Sequence, residues 1–293
     1  MLAVDRRKGI LSRLKAAGSI TVSELSVLYN VSEETIRRDL SRLEREGLLE
    51  KTYGGAYIKD GMHREVPFSL RNVAHVEEKE QIGRRGAELI ENGDTIFIDA
   101  STTALHVGQA INGKENLIVI TNALAAAYRL AEETDAKVIC IGGTLRKTSL
   151  TAVGRFAENA IKNYYADKAF FSCDGVDREN GITDANENEA EVRKAMLQQA
   201  KKRILVADHT KFNRTSFVLI DRFEHVDTVI TDQPLSEPWV HFLQNKNIDY
   251  IISDVSLRWQ NGTHDGAIGA TDGRPILRAE PVPPSPDDEG RGE

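Results

Sequence analysis

The sequence is poor in cysteine and lacks any long apolar run. Cys140 and Cys173 are the only cysteines among 293 residues. Both stand in apolar, strand-like segments, which is typical of buried thiols rather than of a disulfide or a metal site. No apolar stretch approaches the roughly 20 residues of a membrane-spanning helix, and the N-terminus lacks the pattern of a secretory signal. These absences predict a cytoplasmic protein that does not enter a membrane.

Histidine gives no sign of a metal site either. All seven histidines are scattered along the chain, and no two of them stand at the spacing of paired metal ligands. We therefore predict that the protein uses no metal ion and no cofactor.

Negative charge exceeds positive charge over the whole chain, but positive charge is concentrated at one end. The chain has a formal net charge of −7. Residues 1–59 nevertheless contain 11 Lys and Arg against 8 Asp and Glu, whereas the remainder contains 27 against 37. A basic end on an acidic body is typical of a DNA-binding domain joined to a module with another task. A length of 293 residues also suits two domains better than one.

The basic end has the pattern of three short helices joined by tight turns. The third helix begins after Ser32, a favoured N-cap residue. It carries Ile36, Leu40 and Leu43 at i, i+4 and i+7, which form one apolar stripe. Its opposite side is rich in arginine and hydroxyl residues, as expected of a recognition helix in the DNA major groove. Two strand-like runs around a Gly-Gly pair follow and predict a β-hairpin wing.

This arrangement predicts which side chains contact DNA. Arginine can donate two hydrogen bonds to the O6 and N7 atoms of guanine, which lysine cannot copy. The predicted DNA-binding residues are Ser32, Thr35, Arg37, Arg38, Ser41, Arg42, Lys51 and Tyr53. A helix-turn-helix reads a short half-site, so we expect a homodimer or a homotetramer on double-stranded operator DNA.

Strand-like and helix-like segments alternate in the second module. The strand-like runs are residues 95–99, 117–121, 137–143, 168–174, 203–208, 226–232 and 248–254. This alternation predicts an α/β domain with a mostly parallel sheet and helices on both faces. Ligands bind such sheets at the carboxyl ends of the strands.

Polar residues follow several of these runs. Hydroxyl and backbone N–H groups at a helix start favour anions, and lysine and arginine favour phosphate. The predicted effector-binding residues are Asp99, Ser101, Thr102, Thr103, Thr121, Asn122, Gly142, Gly143, Arg146, Asp174, Asp177, Asp208 and Lys211. With carboxylates available for sugar hydroxyls, the set predicts a phosphorylated sugar or polyol as the ligand.

Both modules resemble the DeoR family of bacterial transcriptional regulators. The segment "VSEETIRRDLSRLEREGLLEKTYGGA" is similar to the family's N-terminal signature, and "FIDASTT", "IGGTLRK", "GITDANENEAEVRKAM" and "LVADHTKF" are similar to its C-terminal domain. The resemblance covers residues 1–253. It implies an effector domain similar in fold to ribose-5-phosphate isomerase. It also implies that Asp99 and residues 101–103 form a phosphate loop, Asp174 and Asp177 a turn of the isomerase type, and Lys211 the lysine of the last loop.

The resemblance also implies a function. A repressor of a carbohydrate-metabolism operon, controlled by a sugar phosphate or a related metabolite, is the first interpretation. The alternative is an active sugar-phosphate isomerase fused to a DNA-binding head, with Asp174 or Asp177 as its base. In the isomerases a lysine and a glycine-rich run follow that turn, and "RENGITDANENEAEV" lacks both. We therefore predict a regulator and not an enzyme. DNA binding without a ligand, with the second module serving only to oligomerise, is a third interpretation, and activation in place of repression stays open.

The same patterns predict the domain boundaries. We expect a winged helix-turn-helix domain at 1–59, a linker at 60–76 and an effector-binding and oligomerisation domain at 77–254. Residues 255–293 are rich in proline and acidic residues and lack periodicity, which predicts a disordered tail.

Overall fold

Three helices begin the computed structural model, which describes residues 2–57 and 66–253. Helix α1 spans Ala3–Ala17, α2 spans Val22–Tyr29 and α3 spans Glu33–Arg45. The Thr21 hydroxyl accepts from the Glu24 N–H while the Glu24 carboxylate accepts from the Thr21 N–H, a reciprocal cap that starts α2. Asn30, in the left-handed region with φ 50°, ends α2, and Ser32 caps α3. The predicted helix-turn-helix is thus confirmed.

A small antiparallel sheet completes this N-terminal region, which we call the reading head (residues 2–57). Its strands are β1 (Ser19–Thr21), β2 (Glu50–Thr52) and β3 (Gly55–Tyr57), in the order β1-β3-β2. Strands β2 and β3 form the predicted wing, and Gly54, with φ 89°, occupies a turn position that other residues rarely adopt. Strand β1 was not predicted, because a three-residue strand is too short to show a period of two.

A buried ion pair and an apolar core hold the reading head together. Ile10, Leu25 and Leu40, one from each helix, are fully buried in the same cluster. The Arg6 guanidinium donates from Nε to Oδ2 of Asp39 at 2.6 Å, and both residues are buried. Removing one partner of such a buried pair typically costs about 3–5 kcal/mol. This pair therefore fixes α1 against α3.

Two helices connect the reading head to the rest of the chain. Helix α4 is Phe68–Val73 and helix α5 is Val76–Ala87. Leu70 of α4 is fully buried, so one side of this helix packs against the rest of the protein. Helix α4 lies within the stretch that the sequence predicts as a linker, and residues 60–65 of that stretch lie outside the described residues, as does the predicted tail at 255–293.

A seven-stranded sheet forms the centre of the second region, which we call the effector domain (residues 76–253). Its strands are β4 (Thr95–Ile98), β5 (Ile118–Thr121), β6 (Lys137–Cys140), β9 (Ala166–Phe171), β12 (Ala200–Val206), β14 (Thr228–Thr231) and β15 (Asp249–Ile252). The order is β15-β14-β12-β9-β4-β5-β6, and every neighbouring pair is parallel. All seven predicted strands are present, and the predicted α/β class is confirmed.

Apolar residues alternate between the two faces of this sheet. Phe97 and Phe171 belong to the core on one face, whereas Ile96, Ile98 and Phe170 belong to the core on the other. Both faces are therefore covered, as expected of a parallel sheet.

The remaining elements cover or extend the sheet. The helices are α6 (Thr102–Gln109), α7 (Leu124–Glu133), α8 (Arg155–Ile161), α9 (Glu187–Gln198), α10 (Glu237–Asn245) and a 3₁₀ turn at His209–Lys211. Strands β7 (Thr144–Arg146) and β8 (Thr151–Val153) form a hairpin, and β10 (Gly175–Asp177), β11 (Gly181–Asp184) and β13 (Val218–Asp221) form a small antiparallel sheet. Within residues 2–57 and 66–253, none of the helices is long and apolar enough to span a membrane.

Candidate functional site: a nucleic-acid surface and an anion cavity

The exposed side of α3 carries the residues predicted to bind DNA. Its apolar side is buried, while Arg37, Arg38 and Arg42 are exposed. The Ser32 hydroxyl accepts from the Thr35 N–H at 3.3 Å, and the two hydroxyl oxygens lie 3.0 Å apart. The first turns of α3 therefore present hydroxyl and guanidinium groups together, which is the end of a recognition helix that reaches base edges.

The three arginines differ in their partners. Arg37 pairs with Glu33 at 2.5 Å and Arg42 pairs with Glu46 at 3.1 Å, each one helical turn away. Among the residues that the structure describes, Arg38 forms no ion pair. Exposed pairs of this kind contribute little to stability, yet they must rearrange before the guanidinium can bind a base. Within the described residues, Arg38 is thus the one of these three arginines whose guanidinium is not paired with a neighbouring carboxylate.

The wing places its two predicted residues differently. The Lys51 ammonium donates to the Ser41 hydroxyl at 2.7 Å, so the wing lysine extends the cationic surface of α3. The Tyr53 ring instead stacks on the His75 ring, with centroids 4.5 Å apart and an angle of 23°. Lys51 therefore lies on the side of the wing that faces α3, whereas Tyr53 lies against the start of α5.

The second candidate site lies where the strand order reverses. The chain passes from β4 outward to β5 and β6, then returns to β9 on the other side of β4. Loops from adjacent strands diverge at such a switch point and leave a crevice at the carboxyl ends. A cavity of about 510 Å³ occupies this position, which we call the effector cavity.

The effector cavity collects six of the predicted effector residues. They follow β4, β9 and β12, the three central strands, and they are Ser101, Thr102, Thr103, Asp174, Asp208 and Lys211. Ser101 caps α6 by accepting from the Ala104 N–H at 3.1 Å. The positive end of the α6 dipole therefore faces the cavity, as it does in many anion sites.

Asp99 lies under this loop rather than in the cavity wall. Its Oδ1 accepts from the Ser101 N–H at 2.9 Å, and its Oδ2 accepts from the Ser172 N–H at 3.2 Å. The buried Arg193 guanidinium donates to Asp99 at 2.5 Å and also to Asp184. This buried network fixes the loops after β4 and β9 against α9.

Charges of both signs meet inside the cavity. The Lys211 ammonium lies 3.9 Å from Oδ1 of Asp174. Burial raises the pKa of Asp174, but Lys211 and Arg71 more than offset it, so the pKa lies below its ordinary value. The pKa of Asp208 is likewise low, because Lys211 and a hydrogen bond from Thr210 outweigh its burial. Both carboxylates are therefore ionised and able to accept from hydroxyl groups.

Lys79 of α5 is the most deeply buried cation of the cavity. It is only 4% exposed, and its ammonium donates to the carbonyl oxygens of Ala74, at 2.5 Å, and of Arg71. Burial lowers the pKa of Lys79 to about 8, although the nearby Asp208 carboxylate acts in the opposite direction. Lys79 thus joins the end of α4 to the cavity.

The structure does not bring the other predicted effector residues to this cavity. Thr121, the last residue of β5, and Asn122, which follows it, are buried, and the Asn122 amide donates to the Ala152 carbonyl at 2.9 Å. Gly142 and Gly143 are exposed after β6. Arg146 pairs with the buried Glu189 at 2.8 Å. Asp177 accepts from backbone N–H groups of residues 179 and 180 in the turn between β10 and β11.

Several cavity residues were not predicted from the sequence. They are Thr52, Val66, Arg71, Ala74, His75, Lys79, Ser172, Cys173, Ala185, Thr210, Arg214, Thr215 and Ser216, with Tyr53 predicted only as a DNA contact. Lys79 left one readable signal. Lys79 lies on the same side of the helix as Ile82 and Gly86, which follow it at i+3 and i+7 and are buried. A charged group on the buried side of a helix needs hydrogen-bond acceptors or an opposite charge beside it.

Burial also keeps the Cys173 thiol protonated. It lines the cavity, and burial raises the pKa of its thiol to about 12, so it is a neutral wall residue. Among the described residues, no group of three or more His, Cys, Asp or Glu side chains could hold a metal ion.

These features define a winged helix-turn-helix protein whose reading head is joined to an α/β domain with a polar cavity. Residues 6–61 match the DeoR-like helix-turn-helix domain, and residues 74–233 match the DeoR C terminal sensor domain. The chain belongs to the DeoR family of transcriptional regulators. This membership confirms the prediction of a DNA-binding regulator over that of an active isomerase.

Individual relatives agree with this membership. The chain is 37% identical over 258 residues to the uncharacterized HTH-type transcriptional regulator YulB of Bacillus subtilis (strain 168), covering 88% of this chain and 100% of YulB. It is 32% identical over 234 residues to the glycerol-3-phosphate regulon repressor of Escherichia coli (strain K12), covering 80% and 92%. A solved ribose 5-phosphate isomerase A from Methanocaldococcus jannaschii aligns with 14% identity and a TM-score of 0.35, covering 47% of this chain and 55% of that one. At this TM-score the isomerase alignment carries no argument about fold or function.

Proposed function

We propose that the protein is a cytoplasmic repressor of a carbohydrate-metabolism operon and that a phosphorylated sugar or polyol releases it from its operator. The observation that carries the effector part is the cavity at the switch point, where the α6 N-terminus, Lys79 and Lys211 face one another. A relative of 32% identity is named as the glycerol-3-phosphate regulon repressor, which supports a phosphate ester as the ligand class.

The cavity suits a ligand with one anionic and one polyhydroxylated end. The phosphate would accept from Lys79, Lys211 and the backbone N–H groups at the start of α6. Asp174 and Asp208, ionised and lining the same cavity, would accept hydroxyl groups of the carbon chain. A cavity of about 510 Å³ is within the size range of small-ligand sites.

The reading head supplies the second activity. Arg38 and the first turn of α3 would read base edges, and Lys51 would bind a phosphate of the DNA backbone. A homodimer or homotetramer would place two heads on repeated half-sites. Because an effector can shift binding only through different affinities for two states, the ligand must prefer the arrangement that does not fit the operator.

Selection from random-sequence DNA tests both parts of the proposal. The full chain is used to enrich fragments, and the best fragment is then titrated with and without a panel of glycerol 3-phosphate, glucose 6-phosphate, fructose 6-phosphate and inorganic phosphate, with glucose and fructose as the unphosphorylated controls. We expect repeated half-sites in the enriched DNA and a lower DNA affinity with at least one phosphate ester, but not with the unphosphorylated sugars.

Two results would contradict the proposal. Enrichment of no sequence over random competitor would remove the operator-binding role. Specific DNA binding that no phosphate ester changes, together with no binding of the panel by calorimetry, would instead favour the ligand-free oligomerisation domain.

A further inference from the structure

We propose that the DNA-binding wing forms part of the effector site, so that the ligand binds between the reading head and the effector domain and contacts Tyr53 directly. This inference rests on the proposed function and adds a regulatory contact to it. Thr52 and Tyr53 of the wing line the same cavity as Thr102, Asp174 and Lys211 of the effector domain. The cavity is therefore incomplete without the wing.

The wing is held at the cavity by contacts that only glycine permits. A Cβ atom on Gly55 would lie 2.3 Å from the carbonyl oxygen of Ile20 and 2.4 Å from the Leu70 side chain of α4. A Cβ atom on Gly54 would lie 2.9 Å from the Val73 side chain. Such distances are far inside van der Waals contact, so the Gly-Gly turn lets the wing pack against α4.

Aromatic contacts continue from the wing into the cavity. Tyr53 stacks on His75, and the His75 ring meets the His209 ring edge-on, with centroids 5.8 Å apart. His75 lines the cavity, while His209 is fixed by Asp232, whose carboxylate lies 2.6 Å from Nδ1. The Tyr53 ring is thus connected through His75 to the loop after β12, which also carries Asp208.

Lys79 contacts both the end of α4 and the part of the cavity where we expect the phosphate to bind. Its ammonium holds the carbonyl oxygens of Arg71 and Ala74 at the end of α4, and it also lines the cavity. A bound phosphate would compete with these carbonyls for the ammonium. Ligand binding would therefore act on the α4 end and on the wing that packs against α4, without any relay through the sheet.

Tyr53→Ala measures the wing's share of the ligand site. Tyr53 is 64% exposed, and Tyr128 on α7, outside the cavity, is 63% exposed, so Tyr128→Ala is a matched control. Each full-length variant is titrated by calorimetry, without DNA, against the phosphate ester that binds the wild-type chain from the panel above. We expect Tyr53→Ala to weaken binding by about three- to tenfold, as loss of a stacked ring typically does. Tyr128→Ala should leave it unchanged, and Tyr53→Phe should restore most of the affinity.

The outcomes separate this inference from the proposed function. If no phosphate ester binds the wild-type chain, the proposed effector role fails and the inference fails with it. If the ester binds and lowers DNA affinity in the wild type, but Tyr53→Ala binds it equally well, only the inference is overturned. An equal loss in Tyr128→Ala would also overturn it, because the effect would not be specific to the wing.

Coupling gives a second readout. Because linkage is reciprocal, a ligand that contacts the wing must change DNA affinity less when that contact is removed. For each protein, the DNA affinity measured without the ester is divided by the DNA affinity measured with it. We expect this ratio to be closer to one for Tyr53→Ala than for the wild-type chain. An unchanged ratio would contradict a coupling role of the wing contact.

Discussion

The reading head and the effector cavity both present cations, but in opposite surroundings. Arg38 and Lys51 stand on an exposed surface, where water and salt screen their charge. Lys79 is buried and Lys211 lies beside carboxylates, so each is held in a fixed position. Exposed cations suit a long polyanion that is bound at many points, whereas buried cations suit a single small anion. The comparison predicts that DNA binding responds mainly to salt and ligand binding mainly to single substitutions and pH.

The largest expected effect is that of Lys211→Ala on the ligand. Removing this cation leaves Asp174 and Asp208 without their main opposite charge. A truncated partner of a desolvated charge pair typically costs several kcal/mol, so we expect affinity for the phosphate ester to fall by about 100-fold or more. Calorimetry on the full chain measures it.

Lys201→Ala is the matched control for Lys211→Ala. Lys201 is exposed, pairs with Asp167 and lies near the opposite end of β12, so its removal should not change ligand affinity. Equal losses in both variants would mean that general charge, and not the cavity, binds the ester.

Arg38→Ala should have the next largest effect, on DNA alone. An arginine that forms two hydrogen bonds to guanine contributes about 1–3 kcal/mol of discrimination, so we expect about a 10- to 100-fold loss of affinity for the selected DNA. Fluorescence anisotropy against selected and random DNA gives the measurement. A similar loss on random DNA would show that Arg38 binds phosphate rather than bases.

Ligand affinity should fall as pH rises above about 8. Burial lowers the pKa of Lys79 to about 8, and a bound phosphate dianion favours the protonated form, which raises that pKa in the complex. Between the two pKa values the free protein must take up a proton to bind. Affinity then falls by up to about tenfold per pH unit for one proton.

Lys79→Met provides the control for this pH dependence. It should bind the ester weakly at every pH and lose the slope between about pH 8 and pH 9. The groups around Lys79 in the cavity are Arg71, His75, Asp208 and Lys211. An equal slope in Lys79→Met would show that Lys79 is not the group that takes up the proton.

Lys51→Ala should have the smallest effect. One phosphate contact contributes equally on all sequences, so we expect a loss of a few-fold and a salt slope reduced by about one. Anisotropy between about 50 mM and 200 mM salt measures this slope. A loss confined to the selected DNA would instead indicate a base contact.

Part of the effector cavity was predictable because parallel strands end at one edge. Residues after β4, β9 and β12, such as Ser101, Asp174 and Lys211, were predicted on that ground and from the family resemblance, and they do line one cavity. The same rule also included Thr121, the last residue of β5, and Gly142, which follows β6, and neither lines the cavity. Sequence patterns show that a strand exists but not its place in the sheet, so the switch point could not be located.

The wall formed by the wing and by α5 could not be predicted for another reason. Tyr53 and Lys79 precede every strand of the main sheet, and α4 lies within a stretch that resembles a linker by composition. Their position depends on packing between the head and the effector domain. Such packing produces no periodic pattern in the sequence. Lys79, on the buried side of α5, is the one sequence feature that indicates it.

The central claim is that a phosphate ester in the cavity controls the affinity of the reading head for DNA. The most direct measurement titrates selected DNA with wild-type and Lys211→Ala chains, each with and without the ester. The account predicts equal DNA affinity for both free proteins, and a drop on adding ester for the wild type only. A Lys211→Ala chain that the ester releases from DNA as well as it releases the wild type would contradict it.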